Sequence, residues 1–173
     1  MISGLNRKVF TQISYGLYIV TSHLDGKLNG QIVNTVLQVT SEPPRVAVII
    51  NKSNLSHEFI SSSKVFGASV LDTSTPMTFI GLFGFKSGRN EDKLSKVKFI
   101  SGSTGVPLVT DHCISVLEAK VVDEVDVGTH TLFVGDVISA EVLRSGEPLT
   151  YAYYHTNLKG KSPKAAPTYN PEK

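Results

Sequence analysis

Two long β-patterned runs, residues 113–127 and 130–144, meet at Val127-Gly128-Thr129. Both alternate or run apolar, as strands with a buried face do. Joined this tightly, they read as one long antiparallel hairpin with His130 just past the turn. Shorter segments of the same kind surround it. Residues 15–21 are strand-like, and Asp25-Gly26 makes a turn. Residues 31–40 form a strand rich in β-branched side chains, broken by Glu42-Pro43-Pro44. Residues 45–50 make an apolar, central strand and 65–71 another; 107–110 is extended. Residues 149–155 are a last strand before a polar tail with three prolines. Helices are few and short. Ser3 caps a first one with Leu5, Val9 and Ile13 on one stripe. A second starts at Asn54 or Ser56 and runs to about Ser62. Thr75-Pro76 starts a third that ends near Phe83, and 91–96 can hold one turn. No regular β-α-β alternation, internal repeat or linker is visible. The expectation is a mainly β, antiparallel barrel with a few short helices, forming a single domain over 1–173.

A net charge of +2 carries no nucleic-acid footprint. The longest aliphatic run, Val46-Ala47-Val48-Ile49-Ile50, is far short of a membrane span. The first residues carry no apolar signal-peptide core, so a cytoplasmic home is expected. The N-x-S matches at Asn51 and Asn54 then read as chance. A single cysteine, Cys113, leaves no internal disulfide and no cysteine-based iron–sulfur or zinc site, and no metal is expected. His112 and Cys113, adjacent in an expected strand, would point to opposite faces. No G-x-G-x-x-G motif supports a Rossmann site. Gly160-Lys161-Ser162 imitates the end of a P-loop, but His155 stands where its first glycine belongs.

Four places carry candidate chemistry, each beside a plainer reading. In Asn29-Gly30-Gln31-Ile32-Val33-Asn34-Thr35, polar and apolar residues interleave. That is either a strand with one wet face or an edge of neutral donors and acceptors suited to an isoalloxazine. Asn51-Lys52-Ser53-Asn54 precedes a helix start: a polar capped loop, or a phosphate cradle to which His57 adds a donor. Phe83-Gly84-Phe85-Lys86-Ser87-Gly88-Arg89 is a solvated loop or a mobile clamp for an anionic dinucleotide, with Lys86 and Arg89 on its phosphates. His130 is a hairpin-capping residue or a polar group aimed out of the hairpin end.

These segments, in this order, resemble the FMN-binding flavin reductase-like family, especially its small NAD(P)H-dependent ferric or flavin reductases and flavoredoxins. The likeness extends through Ser14-Tyr15-Gly16-Leu17-Tyr18-Ile19-Val20-Thr21-Ser22, residues 48–52 and 75–85, Gly105-Val106-Pro107-Leu108-Val109-Thr110, Glu118-Ala119-Lys120-Val121-Val122, residues 127–137 and Leu149-Thr150-Tyr151-Ala152. The resemblance implies a split β-barrel of Greek-key type, built as a homodimer with FMN near the interface. It implies hydride transfer from NADH or NADPH and onward delivery to a flavin, a ferric chelate or a protein acceptor. Gln31, Ile32, Val33, Asn34 and Thr35 would line the ring. Asn51, Lys52, Ser53 and His57 would hold the phosphate. Phe83, Gly84, Phe85, Lys86 and Arg89 would border cofactor and nicotinamide, and His130 would stand where the hydride is presented. Lys164, the surrounding residues 159–164 and Tyr169 would lie near the site. Some relatives carry a cysteine before the Asn-Lys pair; Val48-Ile49-Ile50 offers no thiol for iron. The open alternatives are a flavoredoxin-like electron carrier that does not use NAD(P)H and a non-catalytic FMN-binding protein.

Overall fold

A computed structural model describes residues 6–169. Its backbone is built on the long hairpin: β8 (Cys113–Asp126) and β9 (His130–Val142) pair from Asp126↔Thr131 to Ser115↔Val142. Gly128, with φ of 92°, makes the left-handed turn residue between them. Register shifts at Glu118/Ala119 and Val121/Asp123 let so long a ribbon bend. Each arm then serves a different wall. β5 (Val65–Leu71) pairs with the first half of β8, and β4 (Pro44–Asn51) with the first half of β9. Outside these lie β1 (Tyr18–Leu24) with β2 (Lys27–Val33), and β3 (Val36–Ser41). The seven-stranded order is β2-β1-β5-β8-β9-β4-β3, antiparallel throughout. A separate small pair is made by β6 (Phe99–Ser101) and β7 (Pro107–Val109).

The two outermost strands, β2 and β3, are consecutive in the chain and joined only by Asn34-Thr35. A flat sheet of seven strands would hold its edges roughly 29 Å apart, at about 4.8 Å per spacing. The link from Val33 to Val36 reaches about 11 Å at most. The sheet must therefore curl until its edges meet at this corner. Thr35 fastens the corner: its carbonyl accepts from Ile49 N (3.3 Å) and its hydroxyl donates to Ile49 O (3.2 Å). β2 and β3 do not pair, so the barrel stays open along that side. Around the corner β1 to β4 follow in order and β5 lies beside β1, a Greek-key path.

Curling gives the sheet two buried faces. Inside, Val20, Val48, Ile50, Phe66 and Phe133 pack with Ile60 of α1 (Leu55–Ser63). Outside, Ile19, Leu71, Ile80, Phe83, Leu149 and Tyr154 pack beneath α2 (Met77–Gly84) and α3 (Tyr151–Thr156). Ile19 and Val20 are neighbours on opposite faces, both fully buried, as the two-residue period of a strand dictates.

The structure departs from the sequence reading in four places. Residues 31–40 are two strands, because Asn34-Thr35 turn the barrel corner. Residues 149–155 do not form a strand. Leu149 still bonds the sheet through Leu71 O and Leu17 N, but the Thr150 hydroxyl then accepts from Tyr153 N (3.1 Å) and caps α3. Near the N-terminus a 3₁₀ segment, Arg7–Gln12, starts at Asn6, whose side chain accepts from Lys8 N. Val9 and Ile13 are exposed there, so they form no buried stripe; Ser3 and Leu5 fall outside the described residues. His112 takes a left-handed conformation (φ 58°) before β8 begins, so it shares no strand with Cys113.

One buried charge ties a loop to the barrel. Glu118 in β8 is fully buried and accepts from Ser103 N (2.9 Å), Ser103 Oγ, Thr104 N (2.7 Å) and Thr104 Oγ1. Burial pushes its carboxyl up, but the four donors outweigh it and hold the pKa below the ordinary value. Glu118→Gln puts an NH₂ against donors. It should destabilise by about 2–3 kcal/mol, or roughly 5–10 °C in Tm for a chain of this size. A depressed carboxylate stabilises fully above its unfolded pKa and loses that contribution as pH falls through its folded pKa. Thermal melts should therefore show the variant's deficit at pH 7 shrinking in acid below the ordinary carboxylate range. A deficit that persists unchanged there contradicts this account.

Candidate functional site

The barrel corner opens into a cleft of about 250 Å³. Its walls are the end of β2, the end of β4 with the start of α1, the end of α2 with the loop that follows, and α3 with residues 161–167. Of the residues singled out from sequence, Gln31, Ile32, Val33, Asn34, Asn51, Ser53, Phe83, Gly84, Phe85 and Lys86 line it. Thr35 lies at the corner, bonded to Ile49 as described.

The turn after β4 is locally determined. Asn51 Oδ1 accepts from Ser53 N (2.9 Å) and Ser53 Oγ (2.8 Å), an Asx turn that leads into α1. Lys52 points the other way and pairs with Asp126 Oδ1 at 2.6 Å on the hairpin. His57 also faces the hairpin: Nε2 meets Thr131 Oγ1 at 2.8 Å and the ring packs on Phe133. Burial of the ring, helped by the Lys52 charge, lowers its pKa against the opposing Glu124 and Asp126. Neither Lys52 nor His57 lines the cleft.

In the loop after α2, Lys86 pairs with Glu91 (2.9 Å) and Arg89 with Glu58 (3.0 Å), so the two cations are already matched by carboxylates. Phe85 is 56% exposed at the rim. Phe83 is buried and packs close to Gly30, where an added Cβ would lie 3.2 Å from the ring. Gly88 sits still tighter: a Cβ there would come within 2.1 Å of Asn29 Oδ1.

The segment 161–168 crosses the cleft as a strap. Ala165 O accepts from Asn51 Nδ2 (3.3 Å) and His130 Nε2 (3.2 Å). A carbonyl can only accept, so His130 carries its proton on Nε2, and Nδ1 accepts from the Thr129 hydroxyl (2.8 Å). Thr168 Oγ1 accepts from Asn34 Nδ2 (2.7 Å) and donates to Tyr151 OH (3.0 Å), which also meets Ser162 Oγ. His130 thus reaches the strap rather than the cleft wall, and Arg89 and Lys164 lie outside the lining. Tyr151, Tyr154 and Lys93 are among the lining residues not assigned from sequence. Tyr151 and Tyr154 stand one helical turn apart on α3, a spacing hidden while the segment read as a strand. Lys93, in Asp92-Lys93-Leu94, is only 3% exposed; its burial has no signature in sequence.

The geometry is that of an amide-lined slot beside aromatic and aliphatic walls. Asn29, Gln31, Asn34 and Asn51 supply donors and acceptors; Leu17, Ile80, Phe83 and Tyr151 supply apolar surface. Asn29 Oδ1 is buried without a partner among the described residues.

Known proteins share this arrangement of sequence and fold. The family model described as "Flavin reductase like domain" matches residues 10–161. The ferric-chelate reductase (NAD(P)H) of Archaeoglobus fulgidus is 54% identical over 162 residues, covering 94% of this chain and 96% of that one. The high molecular weight rubredoxin of Moorella thermoacetica is 47% identical over 165 residues, 95% of this chain and 72% of that protein. Among solved structures, the NADH:FAD oxidoreductase SgcE6 of Streptomyces globisporus superposes with a TM-score of 0.76 at 25% identity, over 83% of this chain and 85% of that one. With a match across most of its length and a barrel of the same build, this chain belongs to the flavin reductase-like family.

Proposed function

We propose that this protein is an FMN-dependent oxidoreductase that takes a hydride from NADH or NADPH and passes electrons to a flavin, a ferric chelate or a protein acceptor. The observation that carries the reading is the cleft itself. An isoalloxazine presents an edge of neutral donors and acceptors and broad apolar faces, and a slot of amides beside aromatic walls fits both. Asn29 Oδ1, buried against Gly88 without a partner among the described residues, is an acceptor that a ligand N–H would reach once the Gly88 loop shifts. The Asn51–Ser53 turn at the start of α1 suits a phosphate monoester. SgcE6 is described with FAD; the preference for FMN rests on this turn and on the absence of a dinucleotide-binding motif.

Bound FMN supplies the two-electron chemistry; the polypeptide binds, orients and excludes water. In this reading Gln31, Ile32, Val33, Asn34 and Thr35 hold the ring edge. Asn51 and Ser53 take the phosphate, with Lys52 and His57 supporting the turn from its hairpin side. Phe83, Gly84, Phe85, Lys86 and Arg89 form the rim over which the nicotinamide enters. His130 orients it, and Lys164 rides on the strap. A ligand that takes Asn34, Asn51 or His130 must displace Ala165 O or Thr168 from them, so strap movement accompanies binding. The rubredoxin relative favours a second reading, delivery to or from a protein without NAD(P)H. We further propose a single cytoplasmic unit acting as a homodimer. No helix among the described residues is long and apolar enough to cross a membrane. Leu37, Val39, Val122 and Val125 leave large side chains exposed on the sheet, as an unsatisfied interface would.

Four measurements test these proposals. Denatured protein should release FMN, and stopped-flow mixing of the holoprotein with NADH or NADPH should bleach the flavin. Release of FAD, or no bleaching by either nucleotide, would defeat the cofactor or the donor respectively. Light scattering at micromolar concentration should give a dimer; a flavin-loaded monomer argues against the interface. Finally, His130→Ala should slow flavin reduction by roughly 5- to 150-fold, equivalent to about 1–3 kcal/mol, while FMN stays bound. A lowered Tm with an unchanged reduction rate would make His130 a structural tie to the strap instead.

A further inference from the structure

The cations that sequence places on phosphate are largely spent elsewhere. Lys52, Lys86 and Arg89 pair with Asp126, Glu91 and Glu58 at 2.6, 2.9 and 3.0 Å. Lys93 is different. It lines the same cleft and is 3% exposed. Its ammonium has three donors, yet among the described residues its hydrogen-bond acceptor is the carbonyl of Lys86 at 3.0 Å. The nitrogen also stands 5.7 Å from the Phe83 ring centroid, on a face that attracts cations but takes no hydrogen bond in the plane. No carboxylate of the described residues forms an ion pair with it. Glu91, the acidic group whose field reaches it, is already bonded to both Lys86 and Lys96. Burial pushes the Lys93 pKa down to about 8, with Glu91 opposing. A desolvated ammonium with most of its donors unused is costly to keep in a fold. The cost falls if an anion enters the cleft.

We propose that Lys93, rather than Lys52, Lys86 or Arg89, supplies the positive charge that the cleft offers to a bound flavin nucleotide, through an oxyanion of its phosphate or the polarised carbonyl edge of its ring. The inference rests on the flavin-binding reading given above. A buried cation suits this task better than a rim lysine, because its interaction is neither screened by salt nor shared with water. Lys93 has a second effect through Lys86 O: it ties the start of the 86–93 loop to its end, so the charge and the rim are positioned together. Gly88, packed against Asn29 and Leu55, fixes the middle of that loop against β2 and α1.

The test uses flavin-free full-length protein titrated with FMN and, separately, riboflavin, followed by quenching of flavin fluorescence. Lys93→Met should weaken FMN binding tenfold or more, and Lys93→Arg should recover part of it. Lys52→Met, whose ammonium is matched by Asp126, should cost less FMN affinity than Lys93→Met. If riboflavin binding is spared, the partner of Lys93 is the phosphate; if both ligands weaken by the same factor, it is the ring edge. Lys93→Met binding both flavins as the wild type does would overturn the assignment, as would a larger loss from Lys52→Met. Wild-type protein that binds neither flavin would overturn the proposed function and this inference with it. A measurement on unmutated protein guards against a misfolded variant. With ¹³C-labelled lysine, the Lys93 amine should titrate near 8 in the free protein and move toward the ordinary lysine range on adding FMN. An amine unmoved by FMN would also overturn the proposal.

Discussion

Asn34-Thr35, the short link between the two edge strands, sets the geometry on which the rest depends. It is too short to let a seven-stranded sheet lie open, so the sheet curls and its ends converge at one corner. Three separate pieces of chain arrive there as a result. β2 ends at Val33, β4 ends at Asn51, and the hairpin begins its return at His130, which pairs in register with Asn51. Lys52 N bonds Thr129 O at 3.0 Å and locks the β4 exit to the hairpin tip. The cleft is the space left where these ends meet beneath α2 and α3. Its position follows from backbone closure, before any side chain is considered.

Closure also explains the division of labour between the two faces. Strands buried on both sides carry apolar residues at successive positions, as at Ile19 and Val20, and lend the site rigidity. The polar groups of the site are Asn29 within β2, Asn34 at the corner and Asn51 at the end of β4. Asn34 and Asn51 turn their side-chain amides to the strap, and Asn29 donates to Ser56 Oγ. Charge is handled with the same economy. Lys52, Lys86 and Arg89 find carboxylates on the hairpin, within their own loop and on α1. Deep in the cleft, Lys93 is a buried positive charge with no ion pair among the described residues. A site so arranged binds a largely neutral, flat ligand with one anionic feature, which is the chemical character of a flavin nucleotide.

The strap made by residues 161–168 covers the site. It is held by hydrogen bonds from Asn34, Asn51, His130 and Tyr154, and by Tyr151, which accepts from Thr168 and meets Ser162 Oγ. Each such bond contributes on the order of 1 kcal/mol, a loss that a ligand taking the same donors would offset. An enzyme that must admit a nicotinamide and then release electrons to a second partner benefits from a cover of that kind.

Local pattern was enough for much of this. The long hairpin, the apolar strand before Asn51, the helix starts at Asn54 and Pro76, and the polar motifs around Gln31, Asn51 and Phe83 are all legible from residue periodicity and turn chemistry. Each of those signals acts over a few residues, and so survives without tertiary context. The misreadings have a common cause. In residues 149–155, alternating tyrosines look like a strand, and only the Thr150 cap and the loss of a pairing partner make them a helix. Residues 31–40 look continuous, because nothing local announces that the barrel must turn at Asn34. Lys52, Lys86 and Arg89 look like free cations until the fold brings Asp126, Glu91 and Glu58 to them. Lys93 looks like any surface lysine until α2 and β2 close over it. The sequence by itself determined the strands, the turns and the chemical character of the site. Tertiary structure decided which charges are neutralised and which remain for a ligand, because desolvation and ion pairing depend on neighbours that are distant in the chain.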